Sequence, residues 1–291
     1  MTILKNIGEY STYFDRVKAD KKSIGFVPTM GALHDGHLSL IHSSKANNDI
    51  TVSSIFVNPT QFNENSDYLR YPRDLDRDIE ILESAGCDAL FSPSESEMYP
   101  KEDNDAYLYW KGNIREVNLT PLDTVMEGKY RPGHFDGVIA IVQKLFYIVR
   151  PDTAYFGEKD HQQLAIIRRM TEELDLGIDI VGCPIIRESD GLAMSSRNAL
   201  LSKEQRAAAI IIYNTLKQAQ TQLHSKSVRE LCNWISDEIN AQPLCEVQYV
   251  EIADPDSLVP ILECENTRKA ICCVAVYLDS VRLIDNISLF P

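Results

Sequence analysis

One segment of ten residues, PTMGALHDGH from Pro28 to His37, constrains the fold of this chain more than any other. It follows a short apolar run, 24–27, that predicts a buried strand, and it precedes apolar positions from Leu38 onward that predict a helix. His34 and His37 therefore lie where a strand passes into a helix. Such a junction presents backbone N–H groups and the positive end of the helix dipole to an anion, and imidazoles there can donate hydrogen bonds to phosphate oxygens. The same spacing also suits a zinc half-site or polar residues at the start of a helix.

The first two-thirds of the chain alternates predicted strands with predicted helices. The strands are 24–28, 50–57, 89–92, 153–156 and 178–183, and the helices between them include 38–47, 74–85, 135–148 and 160–174. This alternation predicts an α/β domain with a Rossmann-like parallel sheet over residues 1–185. In such a sheet the ligand binds beyond the carboxyl ends of the strands.

The remaining residues, 186–291, predict a smaller α+β domain. A helix over 202–224 with Ser202 as N-cap and a second helix over 228–240 precede strands 246–253, 269–277 and 281–287. Residues 278–280 suit a hairpin turn between the last two strands. Residues 107–110 suit a strand in an excursion that reaches residue 120.

Composition restricts the partners. The chain has 291 residues and a formal net charge of −14, which argues against a broad nucleic-acid surface and against an anionic membrane surface. Seven cysteines, an odd number without a CxxC pair, predict reduced thiols and a cytoplasmic protein. We find neither a signal peptide nor an apolar run long enough to span a membrane.

Two further motifs supply groups for a small polar ligand. Asn58 and Gln61 come just after the strand 50–57, where amides can bind hydroxyls and a carboxylate. Taken alone, however, these residues fit an Asn-Pro turn that stabilises the loop better than they fit a ligand site. Arg131 and His134 belong to a basic, glycine-containing loop, 127–137, which suits either an anion site or a solvated surface loop.

Two segments in the second half supply cations and hydroxyls for phosphates. GEKDHQQ, 157–163, begins at a second strand-to-helix junction; we expect Gly157 to permit a sharp turn and Lys159 to contact phosphates, although an ordinary capped helix start also fits. GLAMSSR, 191–197, combines two hydroxyls with Arg197 and suits a triphosphate clamp or a Ser-rich linker.

Five motifs in one order, PTMGALHDGH, FVNPTQF, RPGHFDGV, FGEKDHQQL and GLAMSSRN, make the chain similar to the pantoate–β-alanine ligases, which belong to the HxGH nucleotidylyltransferase superfamily. The tail, in 247–254 and 282–286, also fits. The resemblance implies that pantoate and ATP form pantoyl adenylate and pyrophosphate, and that β-alanine then displaces AMP to give pantothenate. The alternative is another nucleotidylyltransferase of the same fold, which has no need of both Gln61 and Gln163. A nucleotide sensor without catalysis would lack the pocket for the second substrate.

The resemblance also implies roles for single residues. The residues at its ATP-binding positions are Met30, Gly31, Ala32, Leu33, His34, Asp35, Gly36, His37, Gly157, Glu158, Lys159, Asp160, Ile186, Met194, Ser195, Ser196 and Arg197. Those at its catalytic positions are His34, His37, Lys159, Ser195, Ser196 and Arg197. Those expected at pantoate or β-alanine are Asn58, Gln61, Arg131, His134 and Gln163.

The same resemblance implies Mg²⁺ accompanying ATP, a homodimer, and a C-terminal lid that excludes water. Its metal ligands are unknown: Asp74, Asp76 and Asp78 suit Mg²⁺, but a solvated helix start fits them better. Two features depart from the family pattern, namely His161 and a longer segment from 101 to 119.

Overall fold

A parallel six-stranded sheet organises the first part of the chain. The computed structural model describes residues 1–62, 65–101, 114–223, 225–263 and 268–290. The strands are β1 (Thr2–Leu4), β2 (Ile24–Thr29), β3 (Ile50–Ile55), β4 (Ala89–Phe91), β5 (Thr153–Gly157) and β6 (Asp179–Cys183). Their spatial order is β1-β4-β3-β2-β5-β6, and every pair is parallel. The predicted α/β fold with a parallel sheet is confirmed.

The order of the strands fixes where a ligand is expected. The chain moves from β2 outward through β3 and β4, and it then returns to the other side of β2 with β5 and β6. This reversal is the switch point at which open α/β sheets bind their ligands. The segment with the two histidines follows β2 directly, so it lies at that point.

Helices connect the strands. They are α1 (Ile7–Ala19), α2 (Asp35–Asn47), α3 (Asn65–Arg70), α4 (Leu75–Ser84), α5 (Glu95–Met98), α6 (Met126–Tyr130), α7 (His134–Val149) and α8 (His161–Glu173). Central strand residues such as Ile24, Phe26 and Val52 are fully buried, as expected for a sheet that is covered on both faces. Neither β1 nor α1 was predicted. The three residues of β1 are too few to carry an apolar pattern.

An antiparallel sheet organises the C-terminal part. Its strands are β7 (Cys245–Ala253), β8 (Ile271–Leu278) and β9 (Val281–Ser288), in that order. The predicted hairpin turn is confirmed, because Leu278 pairs with Val281. The apolar faces of the helices join Val274 and Leu283 in one core.

The helix predicted over 202–224 is divided in the structure. It forms α9 (Lys203–Ala208) and α10 (Ile210–Gln222), followed by α11 (Val228–Asn240). Ser202 is the N-cap, as predicted, and forms a capping box with Gln205. Neither glycine nor proline marks the break at Ala209, so no local signal predicts it.

The chain divides into two compact units. The first comprises Met1–Leu119, Arg131–Gly157 and Ile166–Cys183, and the second comprises Thr120–Tyr130, Glu158–Ala165 and Pro184–Pro291. The division into domains 1–185 and 186–291 stays a prediction. The strand predicted over 107–110, and most of the long segment around it, lie outside the described residues. Among the described helices, none is long and apolar enough to cross a membrane.

Candidate active site

The segment between β2 and α2 is a tight loop that needs glycine at Gly31. Gly31 has φ of +81°, and a Cβ there would lie 2.8 Å from Oδ2 of Asp78. Ala32 follows with φ of +51°. Two successive residues with left-handed backbone turn the chain from the carboxyl end of β2 into the first turn of α2.

His34 and His37 cap the start of α2 and present the same ring nitrogen to the backbone. Nδ1 of His34 accepts the Gly36 N–H at 3.1 Å, and Nδ1 of His37 accepts the His34 N–H at 3.3 Å. The two ring centroids are 4.1 Å apart. A neutral imidazole that accepts at Nδ1 carries its proton on Nε2. Both rings therefore have an Nε2–H donor, at the end of a helix whose dipole favours an anion.

Asp78, on α4, holds this loop through hydrogen bonds to its backbone. Its two carboxylate oxygens accept the N–H groups of Ala32 and Leu33, both at 2.8 Å, and the residue is 1% exposed. Burial raises the pKa of Asp78 above its ordinary value, against the two N–H donors, which lower it. A solvated position is therefore wrong for Asp78, whereas Asp74 and Asp76 are exposed.

The role of Asp78 was missed by sequence reasoning, although the sequence carries a signal. Asp78 follows Leu75 by three residues and precedes Leu82 by four, so it lies on the apolar face of an amphipathic helix. An acidic residue on such a face needs hydrogen-bond donors inside the protein.

Gln61 lies in a short 3₁₀ helix, Pro59–Gln61, beyond the end of β3. Its Oε1 accepts Nδ2 of Asn58 at 3.2 Å, and its Nε2 lies 2.9 Å from Sδ of Met30. Asn58 is 1% exposed. Its Nδ2 also donates to the Gly137 carbonyl at 3.1 Å, and its Oδ1 accepts the Tyr99 hydroxyl at 2.6 Å. Asn58 thus fixes the loop and the side chain of Gln61, and its direct contact with a substrate stays a prediction.

Arg131 and His134 reach the same 3₁₀ helix. Nδ1 of His134 lies 2.7 Å from the carbonyl oxygen of Gln61, which can only accept, so the ring donates from Nδ1. Nη2 of Arg131 donates to the same oxygen at 3.4 Å. His134 is buried, so a solvated loop is wrong for this residue. The structure therefore brings four predicted substrate residues together in the first unit: Asn58, Gln61, Arg131 and His134.

Lys159 lies in a 3₁₀ helix, Glu158–Asp160, that links β5 to α8. Its Nζ is 3.9 Å from Oδ1 of Asp160, and its side chain is 18% exposed. The carbonyls of Glu158 and Lys159 each accept Nδ2 of Asn286 at 2.9 Å. The expected need for glycine at Gly157 is wrong, because its φ is not left-handed and a Cβ there would meet no atom within 4 Å.

Residues 186–197 form an ordered loop in the second unit. The Met194 N–H donates to the Ile186 carbonyl at 3.0 Å, and Arg187 and Ala193 form a β-bridge within that turn. Ser195 then caps a 3₁₀ helix, Ser196–Leu200, by accepting the Arg197 N–H at 3.3 Å. Because the backbone of 186–194 is paired with itself, a Ser-rich linker does not describe this segment.

Gln163 and its two predecessors begin α8. Gln163 is half-buried, and its role at the substrate stays a prediction. Gln162, which sequence reasoning did not single out, is 5% exposed; its Oε1 accepts the Glu127 N–H at 2.9 Å, and its Nε2 donates to two carbonyls shortly before that residue. Nε2 of His161 lies 2.7 Å from the Pro255 carbonyl. The departure at His161 therefore adds a contact within the second unit.

The part of the chain that the structure describes offers no dedicated site for Mg²⁺. Across the described ranges, no cluster of three or more His, Cys, Asp or Glu side chains could hold a metal ion. Within these ranges, His34 and His37 therefore do not belong to such a cluster. Both oxygens of Asp78 are occupied by backbone donors. The donor set fits a cation that arrives coordinated by a polyphosphate.

Comparison with known proteins gives full-length matches. A family model described as Pantoate-beta-alanine ligase matches residues 2–288. A pantothenate synthetase of Phocaeicola vulgatus is 49% identical over 288 residues, which is 99% of each chain. The crystal structure of a pantothenate synthetase from Thermus thermophilus matches with a TM-score of 0.90 at 40% identity, covering 100% of both chains. A Francisella tularensis pantoate-beta-alanine ligase, solved as a complex with beta-gamma ATP and beta-alanine, matches with a TM-score of 0.81 at 36% identity, covering 99% of this chain and 98% of that one.

Proposed function

Because the chain belongs to the pantoate-beta-alanine ligase family, we propose that it joins pantoate to β-alanine at the expense of ATP, through pantoyl adenylate. In the first step a carboxylate oxygen of pantoate attacks the α-phosphorus of ATP, and pyrophosphate leaves with the electrons of the broken P–O bond. In the second step the amine of β-alanine attacks the activated carbonyl carbon, and AMP leaves. Adenylation is required because a free carboxylate has no good leaving group.

The observation that carries the phosphate-binding proposal is the pair of backbone hydrogen bonds that the two histidines accept at Nδ1. Because Nδ1 of His34 and Nδ1 of His37 accept backbone N–H groups, Nε2–H of each neutral ring is a donor. We assign both donors to phosphate oxygens of ATP, where they stabilise negative charge as it develops in the transition state. The remaining ATP-binding residues of the first part of the chain are those of the loop 30–37, held by Asp78.

Further along the chain we assign phosphate binding to Gly157–Asp160, Ile186 and Met194–Arg197. Lys159 and Arg197 would offset the repulsion between the attacking carboxylate and the polyphosphate, and Ser195 and Ser196 would donate hydrogen bonds to its oxygens. Gln61 and Gln163 are proposed to bind pantoate, and Gln61 also to border β-alanine. Arg131 and His134 would act with Gln61, which their contacts to its carbonyl oxygen support.

We also propose Mg-ATP as the substrate form of the nucleotide, because a cation on the polyphosphate reduces its charge. We also propose a homodimer, which rests on the family resemblance, and a cytoplasmic location, which rests on seven cysteines without a CxxC pair. Light scattering tests the dimer, which would give about twice the chain mass of 32.9 kDa.

The first experiment measures AMP release from Mg-ATP with pantoate and β-alanine, omitting each in turn. We expect AMP only when both acids are present, and ATP–pyrophosphate exchange with pantoate alone. Pantoate labelled with ¹⁸O in its carboxylate should transfer one label to AMP, because the acyl C–O bond breaks in the second step. Exchange supported by another acid or phosphate ester, but not by pantoate, would favour another nucleotidylyltransferase of this fold.

A matched pair of variants tests the histidine assignment. His37→Ala should lower the exchange rate roughly 100-fold or more, by the scale seen when a transition-state donor is lost. His42→Ala is the control, because His42 lies on the same helix with an exposed side chain. Equal rates for the two variants would refute the role of His37.

A further inference from the structure

The side chain of Asn286, on β9, holds the loop that carries Lys159. Its single Nδ2 donates to two consecutive carbonyls, of Glu158 and Lys159, at 2.9 Å each. Asn286 is 6% exposed. An amide nitrogen has two protons, so it can satisfy both carbonyls at once. These two bonds fix the backbone from which the Lys159 side chain projects.

The preceding residue, Asp285, holds a second loop. Its carboxylate accepts both terminal nitrogens of Arg187, at 2.7 and 3.0 Å, and its side chain is 3% exposed. Arg187 also donates to the Gly191 carbonyl at 3.1 Å, and its guanidinium lies 3.9 Å from the centre of the Tyr213 ring. The guanidinium of Arg187 thus connects β9, through hydrogen bonds, to the turn that precedes Ser195–Arg197.

The two anchors are coupled to each other. Oδ1 of Asp285 also accepts the Asn286 N–H at 2.8 Å, and Nη2 of Arg187 donates to the Asn286 carbonyl at 3.2 Å. Successive side chains of a strand point to opposite faces. One dipeptide can therefore hold one loop on each face of β9 with no residue between them.

We propose that Asp285 and Asn286 act as a positioning pair for adenylation, by fixing the Lys159 loop and the Ser195–Arg197 loop to one strand. This inference rests on the proposed ATP-binding role of those loops. Neither residue is assigned a contact with substrate. Fixing both loops to a common strand keeps their cations and hydroxyls at a constant separation, which is what a single triphosphate requires.

The decisive variant is Asn286→Asp, which keeps the shape of the side chain but replaces its donor nitrogen with an oxygen. That oxygen would face two carbonyl oxygens and repel both. Asn240→Asp is the matched control, because it makes the same change of charge in the same unit. Asn240 accepts the Val247 N–H at 2.8 Å through Oδ1, and aspartate can accept it equally well.

We expect Asn286→Asp to lower kcat/KM for ATP roughly 10- to 100-fold in pantoate-dependent pyrophosphate exchange. KM for pantoate should stay within about twofold of the control, because Gln61 and its partners belong to the first unit, and Gln163 is fixed in α8, beyond the two carbonyls that Asn286 holds. If Asn286→Asp does not fold, Asn286→Ser, which keeps one short donor, should show the same split between the two substrates to a smaller degree. A folded Asn286 variant with kcat/KM for ATP equal to that of Asn240→Asp would overturn the proposal.

A double-mutant cycle separates positioning from general destabilisation. In a Lys159→Ala background, Asn286→Asp should cost less than about threefold in exchange rate, because its effect passes through Lys159. The same fold-loss in both backgrounds would overturn the proposal. The wild-type assay keeps the two hypotheses distinct. If the wild type forms no pantothenate, the proposed function is refuted. In that case, the affinities of Asn286→Asp and Asn240→Asp for a non-hydrolysable ATP analogue still test the positioning pair.

Discussion

Replacing Asp78 by asparagine is expected to loosen the loop that carries both histidines without changing the shape of the side chain. In the wild-type protein each oxygen of Asp78 accepts one backbone N–H at 2.8 Å, from Ala32 and from Leu33. Asparagine retains one acceptor oxygen and turns a donor NH₂ toward the other N–H. One buried N–H therefore loses its partner, in a segment where Ala32 already has φ of +51°.

The size of the effect follows from the number of bonds lost. A hydrogen bond to a charged group contributes about 1.5 to 3 kcal/mol, so Asp78→Asn should lower the free energy of unfolding by about 2 kcal/mol. Asp78→Ala loses both acceptors and should cost about 4 kcal/mol. The burial that raises the pKa of Asp78 offsets part of each loss, since the variants no longer bury a charge. Displacement of His34 and His37 should lower the exchange rate roughly 10- to 100-fold.

Urea unfolding and pantoate-dependent pyrophosphate exchange measure the two effects separately. Asp76→Asn is the control, because Asp76 lies on the same helix and is exposed. Equal urea midpoints and equal rates of pyrophosphate exchange for Asp78→Asn and Asp76→Asn would refute this role of Asp78.

Three other expectations follow from buried contacts. Burial lowers the pKa of Lys144 from 10.5 to about 8, so between those pH values the unfolded chain binds more protons than the folded chain, and the stability of the wild type rises with pH. Urea unfolding should therefore show Lys144→Met losing stability relative to the wild type from pH 8 to 10, and a gain would contradict the lowered pKa. Gly137→Ala would place a Cβ 2.4 Å from the Thr60 carbonyl oxygen, so the 3₁₀ helix Pro59–Gln61 must shift. We expect KM for pantoate to increase and the free energy of unfolding to fall by about 1 to 3 kcal/mol, and an unchanged KM would exclude this effect on Gln61. Glu127→Ala leaves the half-buried Arg282 without its bidentate carboxylate, and urea unfolding should show that the free energy of unfolding falls by about 3 to 5 kcal/mol. Replacing both Glu127 and Arg282 by methionine should recover most of that loss.

Patterns that are contiguous in sequence predicted their structures well. The apolar run before Pro28 became a strand and the residues after His34 became a helix, because each signal lies within one element. The hairpin between Leu278 and Val281 was equally local. Residues 30–37 form the strand-to-helix junction as predicted, because they too are contiguous in the sequence.

Residues that act across the fold were harder to predict. Asp78 is 45 residues from Leu33, and Asn286 is 127 residues from Lys159. No local propensity reports such contacts, since they depend on which strands become neighbours. Burial also changed the interpretation of His134. The sequence predicts a glycine-containing loop there, whereas in the structure the buried ring contacts the carbonyl oxygen of Gln61.

The face of β9 that carries Arg282 and Asn286 has a consequence for how the protein is made. Its partners, Glu127 and Lys159, leave the ribosome long before it does, since Asn286 is 127 residues behind Lys159. At about 5 to 20 residues per second, the nascent chain waits roughly 6 to 25 s for this strand. During that interval the carboxylate of Glu127 and the two carbonyls near Lys159 lack their later donors. The loops of the second unit that we propose to bind ATP can therefore reach their final form only after β9 has left the ribosome.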